Sequence, residues 1–304
     1  MYKRQPLINP QQAASVHAAT YDVVVSAATD PYLLSHEVNG VVVVPLVLVQ
    51  EWFLRAANAA GTAPGDAPAY NAVRKLRVLK GIPLPAFHEQ PTRLRIRIEQ
   101  DAHDIAARNA TLYDSHGVAR FAAQVVRQHA GSPDAACKSA ELSEGWPEAA
   151  IAGADLYGSQ LFHGPAFATL RLVDRLGEHG ARAEIAVSQT VGWEPAPLAP
   201  HYLTDPALID GGLQLARVWG YERLKQLTLP TVVEAFILHQ PGWLAADRTV
   251  RCIVEGKPIG QAGTRSNLWF VDAASGALIA EVHGLEMYVS SEAPLAPAQS
   301  GGVQ

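Results

Sequence analysis

The sequence predicts an α+β fold built as two alike halves, and three observations carry that prediction. Two segments of helical spacing, residues 46–61 and 204–224, are apolar nearly all round, as in helices enclosed by other elements. Each is accompanied by short runs rich in β-branched residues or with period-two alternation, the pattern of half-buried strands. Between the two groups, over residues 130–154, periodicity lapses and turn-forming residues gather, which marks a junction.

The elements follow in order. Residues 1–18 form a lead-in without pattern, and "YDVVVSA" and "GVVVVP" then read as strands. After Pro45 the spacing turns helical: Leu48, Val49, Trp52, Phe53, Ala56, Ala57 and Ala60 share one broad face, and Gly61 and Pro64 stop the helix. "TRLRIRIEQ" alternates Leu94, Ile96 and Ile98 with arginines, and "ATLYDSHGVARFAAQVVRQ" reads as a hairpin turning at residues 114–117. Past the junction the plan repeats with "LFHGPAFATLRLVDRL", "RAEIAVS" and a second helix. Thr204 or Asp205 can cap that helix, and Pro206 suits its first position. "TVRCIVEG" and the hairpin "NLWFVDAASGALIAEVHGLEMYVS" complete the second half. The last stretch, "SEAPLAPAQSGGVQ", has linker composition and reads as the place where a longer polypeptide was cut or continues. The expected organisation is a first subdomain at 1–135, a linker at 136–152, a second subdomain at 153–290 and a flexible tail at 291–304.

Composition narrows the function. The 304 residues are 48% hydrophobic and 17% charged, enough apolar material for a sizeable core. A net charge of −5 with no basic stripe argues against nucleic acid as a partner. Cys137 and Cys252 lie far apart and outside CxxC spacing, so neither a disulfide framework nor a cysteine zinc site is expected, and a reducing cytoplasm fits. "MYKRQPLINPQQAAS" lacks a signal-peptide core, and the apolar run at 41–50 is too short to span a bilayer and is broken by Pro45. No membrane association is expected.

Several chemistries fail on motif. There is no GxxxxGK[ST] loop, no GxGxxG after a strand and no GxSxG elbow, and "HEVNG" lacks the second histidine of HExxH. The remaining histidines show no ligand spacing, so no metal is expected. What stands out is His36, just ahead of the valine run, and Asp210, in the early turns of the second helix with Gln214 one turn later on the same face. Either has an ordinary reading, a loop histidine or a solvated acid. Against the latter, Ala207, Leu208, Ile209, Gly211, Gly212, Leu213 and Leu215 are all apolar or small, so an acid there is buried and needs a partner or a task. A glycine in a helix interior costs about 1 kcal/mol relative to alanine, and the expected reason for the pair is room for a substrate chain.

Four motifs in one order resemble those of dehydratase domains of polyketide and polyunsaturated-fatty-acid synthases. "HEVNGVVVVP" is similar to their HxxxGxxxxP motif, with His36, Gly40 and Pro45 in register. "LFHGPAF" resembles their GPxF segment through Gly164, Pro165 and Phe167, "DPALIDGGLQ" their DxxxQ motif through Asp210 and Gln214, and "LPTVVEAFIL" the strand that follows. "LRVLKGIPL" is reminiscent of the polyunsaturated-fatty-acid or enediyne branch. The resemblance implies a double hot-dog fold, two tandem hot-dogs each wrapping an antiparallel sheet around a central helix. It implies that a 3-hydroxyacyl thioester on acyl carrier protein loses water to give a 2-enoyl thioester, without cofactor beyond the carrier's phosphopantetheine arm. It further implies His36 as base, Asp210 as acid, Gln214 as its holder and Gly40 as the site of a backbone N–H for the thioester carbonyl. Acyl carrier protein and neighbouring synthase domains are the implied partners, with a homodimer open.

The chain also departs from the pattern. His163 and Ala168 stand where many members carry tyrosine and glutamine, and Leu46 stands where a glycine often follows the proline. His163 either replaces the tyrosine at the substrate hydroxyl or lines the pocket, while Tyr157 and Phe167 read as pocket walls. Two alternatives stand beside dehydration: a double-bond isomerase or cyclase on the same scaffold, and a non-catalytic module that binds carrier protein.

Overall fold

A computed structural model describes residues 9–15, 18–61, 70–128, 141, 143–193 and 202–290. Alternation makes the sheet: in β6 (Thr92–Gln100), Leu94, Ile96 and Ile98 are buried and the arginines between them exposed. The first half supplies β1 (Asn9–Ser15), β2 (Ala18–Val25), β3 (Glu37–Val38), β4 (Val41–Val42), β5 (Ala72–Val78), β6, β7 (Ala107–Tyr113) and β8 (Ala119–Val126). The second supplies β9 (Glu148–Ala152), β10 (Leu170–Leu176), β11 (Gly180–Ile185), β12 (Thr228–Leu238), β13 (Val250–Ile259), β14 (Gly263–Asp272) and β15 (Leu278–Val289). Among the described residues all but β3 and β4 join one sheet of 13 strands, ordered β1-β2-β6-β7-β8-β5-β12-β15-β14-β13-β11-β10-β9.

Every first-half strand of that sheet lies on one side of the antiparallel β5–β12 pair and every second-half strand on the other. We propose the subdomain boundary on that basis, although the core does not divide there. Leu33, Trp52 and Phe53 belong to the same buried cluster as Phe167, Trp219 and Phe236. The two central helices, α1 (Leu46–Gly61) and α2 (Pro206–Leu224), pack on the sheet, α1 against β5 to β8 and α2 against β10 to β14, and touch one another. This is the double hot-dog arrangement. No helix among the described residues is long and apolar enough to cross a membrane.

Four expectations change. The strand expected at the valine run is only its first half: Asn39 (φ 53°) and Gly40 (φ 77°) turn the chain from β3 into β4 at Val41–Val42, and the chain then passes through Pro45 into α1. The expected linker at 136–152 is structured at its end, where β9 pairs with β10 and buried Ser143 accepts a hydrogen bond from Arg182 (3.2 Å). Its exposed alternation was too short to read as a strand. Ala60, expected on the buried face of α1, is exposed in the last turn. The glycine pair serves packing rather than substrate access. A Cβ on Gly211 would lie 2.4 Å from Thr169 Oγ1, and one on Gly212 would lie 2.2 Å from Phe270 Cζ, so these glycines seat α2 against the sheet. The tail at 291–304 lies outside the described residues.

Candidate active site

The start of α2 is fixed before any chemistry is considered. Asp205 is the N-cap, accepting from Leu208 N (3.2 Å) and also from Ser188 N (2.9 Å). Thr204 turns instead to Glu51 of α1, donating from its N–H and its hydroxyl to Oε2 (2.8 Å each), while Leu203 N donates to Oε1 (2.9 Å). A fully buried acid on one central helix thus anchors the entrance of the other. Asp210 follows one turn inside α2.

His36 comes from the other half. It ends the 3-10 turn Pro31–Ser35, its N–H bonded to Leu33 O (2.9 Å). That turn hangs on buried Asp30, which accepts from Ser26 N (3.1 Å), Thr29 Oγ1 (2.6 Å) and Tyr32 Oη (2.9 Å). His36 Nδ1 donates to the Val43 carbonyl at 2.9 Å, so the proton sits on Nδ1 and Nε2 keeps its lone pair. Burial pushes the imidazole down to about 4.

The loop at 161–168 brings the halves together. Gly164 N donates to Ser35 O (2.8 Å), and a Cβ on Gly164 would lie 3.0 Å from Ser35 Cα, a tight contact that one of the two segments would have to yield to by a few tenths of an ångström. Pro165 opens a short 3-10 turn, Pro165–Phe167, and Trp193 Nε1 donates to Ala166 O (2.6 Å). Phe167 and Phe162 then flank His36, with ring centres at 5.3 and 5.1 Å, and His163 lies 5.2 Å away.

Three side chains from distant segments therefore converge. His36, His163 and Asp210 each present a ligating atom, all within 4.8 Å of one another, and all three are buried. His163 Nε2 is 3.4 Å from Asp210 Oδ2. The two do not form an ion pair: burial, reinforced by His36 and Arg217, holds His163 well below the usual imidazole range and so neutral, while burial raises Asp210 to about 7. Gln214 fixes the acid. Its Nε2 donates to Asp210 Oδ2 and to Phe167 O (2.8 Å each), and its Oε1 accepts from Tyr157 Oη (2.8 Å). Leu170 N donates to the same hydroxyl (2.9 Å), which leaves the phenolic hydrogen for Gln214 and sets its amide orientation. An open depression of about 530 Å³, lined by Tyr157, His163, Gly164, Pro165, Ala168 and Arg171 among others, reaches the cluster at His163.

Residues 134–297, more than half of the chain, match the family model described as the polyketide synthase dehydratase N-terminal domain. The chain belongs to the polyketide synthase dehydratase family. The matched residues include Tyr157, His163, Asp210 and Gln214 but not His36, which is placed by its motif and by the convergence above. Solved dehydratase domains share the fold over nearly the whole chain. The dehydratase domain from the CurF module of curacin polyketide synthase is 17% identical with a TM-score of 0.74, covering 94% of this chain and 99% of its own. GphF dehydratase 1 is 18% identical (TM-score 0.71, 94% and 100% covered). The dehydratase domain of a mycocerosic acid synthase-like polyketide synthase is 19% identical (TM-score 0.68, 92% and 98% covered). No curated protein matches the chain in sequence.

Within this dehydratase fold the expected site residues separate into two sets. His36, His163, Phe167, Asp210, Gln214 and Tyr157 meet, and Gly164 and Pro165 shape the loop that lets them. Tyr157 is more than a wall, since it orients Gln214. Gly40 and Pro45 stand apart from the cluster in kind. Gly40 is exposed at the β3–β4 turn, where its positive φ explains the glycine, and Pro45 is buried at the lead into α1.

The sequence reading missed Arg217. It is buried on α2, its guanidinium carbon 5.0 Å from the Phe162 ring centre, and burial lowers it to about 10, still a cation at neutral pH. The signal was available: a charged residue in an apolar helix, three positions after Gln214 and seven after Asp210, hence on their face. The same cation matters for metals. The three ligating groups are a donor set a divalent ion can use, assembled from segments whose spacing gave no hint of it, and Arg217 opposes a cation among them.

Proposed function

We propose that this chain removes water from a 3-hydroxyacyl thioester carried on the phosphopantetheine arm of acyl carrier protein, giving a 2-enoyl thioester. The observation that supports it is the meeting, within 4.8 Å and buried, of a neutral imidazole and a carboxyl group whose proton is held more tightly than usual. The α-hydrogen of a thioester is weakly acidic, so a base must be held close and kept uncharged. His36 Nε2 takes that proton, and the C2–H electron pair becomes the new C2=C3 bond as the C3–O bond breaks. Hydroxide is a poor leaving group, so Asp210 passes its proton to the departing oxygen, which leaves as water. The proton on His36 returns to Asp210 after release. His163 stands beside Asp210 on the hydroxyl's side. Family membership supports the reaction class, and the partners follow from it: acyl carrier protein and neighbouring domains of a synthase.

The test is incubation of the purified protein with 3-hydroxyacyl pantetheine thioesters, following loss of one water by mass. His36→Ala and Asp210→Asn should each lower the rate by about 10²–10⁴-fold, the range for losing a general acid or base. No water loss with any hydroxyacyl chain, or rates indifferent to both substitutions, would overturn the assignment.

A further inference from the structure

Arg217 is a buried cation with an empty hand. The residue is 3% exposed, and its Nε and Nη2 are shut off from water without a hydrogen-bond partner among the described residues. Buried charges are held by partners or are costly. Those two nitrogens form one edge of the guanidinium, whose parallel N–H bonds match the two oxygens of a carboxylate. Elsewhere in the chain the same edge grips acids. Arg182 offers Nε (3.0 Å) and Nη2 (2.7 Å) to Asp174 Oδ2, and Arg120 offers Nε (2.8 Å) and Nη2 (2.5 Å) to Asp114 Oδ2, so in both cases one carboxylate oxygen takes the whole edge. Asp210 does not fill the edge on Arg217: it acts on the guanidinium through space only, while its Oδ2 accepts from Gln214.

The edge lies close to the His36, His163 and Asp210 cluster. The guanidinium carbon and the His36 ring centre are 5.0 and 5.1 Å from the same Phe162 ring centre, so they are no more than about 10 Å apart. Phe162 in turn stacks on His163 at 4.0 Å. A ligand group reaching Arg217 therefore sits a few carbon–carbon bonds from the carbons that react. A keto or hydroxyl oxygen could take these bonds but would leave the charge unbalanced, whereas a carboxylate takes them and neutralises it.

We propose that Arg217 binds a carboxylate on the acyl chain, making the site selective for short 3-hydroxyacyl thioesters that carry a second, free carboxylate. This rests on the dehydratase reading and narrows its substrate class.

The experiment compares two pantetheine thioesters of equal length, a 3-hydroxyacyl chain ending in a carboxylate and its methyl ester, on the wild-type chain. The acid is expected to have a kcat/KM about tenfold or more above the ester, as a charge-assisted contact gives. Arg217→Met should bring the ratio to about one, and Arg217→Lys, which keeps charge but not the fork, should retain part of it. Equal kcat/KM for acid and ester on the wild type overturns the proposal, and so does a preference that survives Arg217→Met. Calorimetry with the two unreactive 3-deoxy analogues separates this from the function itself. Water loss from neither substrate sinks the dehydratase reading, whereas equal binding of the two analogues by the wild type sinks the carboxylate site.

Discussion

His36 and Asp210 share one environment, and burial acts on each by the same rule, disfavouring whichever form is charged. The imidazole falls to about 4 and the carboxyl rises to about 7, so a neutral base coexists with a protonated acid between those values. The kcat/KM for water loss should therefore be bell-shaped, with limbs near pH 4 and pH 7; a rate still climbing well above pH 7 would contradict Asp210 as the acid. The same shifts act on stability. Asp210 binds its proton more tightly in the native state than its ordinary 3.8 allows, so its contribution declines as pH rises from 3.8 to about 7 and stays unfavourable above. His36 has the opposite sign, weakening the fold as pH falls from 6.5 to about 4. Asp210→Asn, which removes an ionisable group but keeps an acceptor for Gln214, should stabilise the protein by about 2–4 kcal/mol at about pH 8 and by much less near pH 4. Denaturant unfolding at the two pH values checks this, and an unchanged midpoint at the higher pH would mean that Asp210 is not held protonated.

At the scale of elements, the seating of α2 is the most exacting contact. Phe270 of β14 occupies the space a methyl group on Gly212 would need, and it belongs to the closed core, so the ring has little freedom to swing away. Gly212→Ala should destabilise by about 1–3 kcal/mol despite the better helix propensity of alanine, measured as a lowered denaturant midpoint; a gain in stability would show the site to be roomier than it is. This contact also shows what the sequence could disclose. Helices, hairpins and the His36/Asp210 pair were legible because their signals are local: caps, stop residues, alternation and motif order. The partner of Gly212 was not, because it lies on a strand far along the chain and only topology brings it near. Likewise β5 carries little alternation of its own, β9 alternates over only five residues that are never fully buried, and both are recognisable by the strands they pair with. Arg217 was legible in principle and overlooked, since a charge on an apolar helix is as informative as Asp210 was.

For the whole molecule, the sheet runs unbroken through the β5–β12 pair and one buried cluster spans both halves. Such a chain should unfold in one cooperative step, with tryptophan fluorescence and circular dichroism following coincident denaturant curves; two separated transitions would mean that the halves hold together on their own. The contact of Gly164 with Ser35 extends this unity to the chemistry, because a backbone from one half rests directly against the residue that precedes His36 in the other. A hybrid gene joining the front of one such domain to the back of another inherits that junction as a test of fit. If the incoming loop is lifted by a single methyl group, the chimera can fold and yet hold His36 and Asp210 out of register. Exchanging the two halves as a pair preserves this contact, and "HGPAF" is as much a mating surface between them as a wall of the depression.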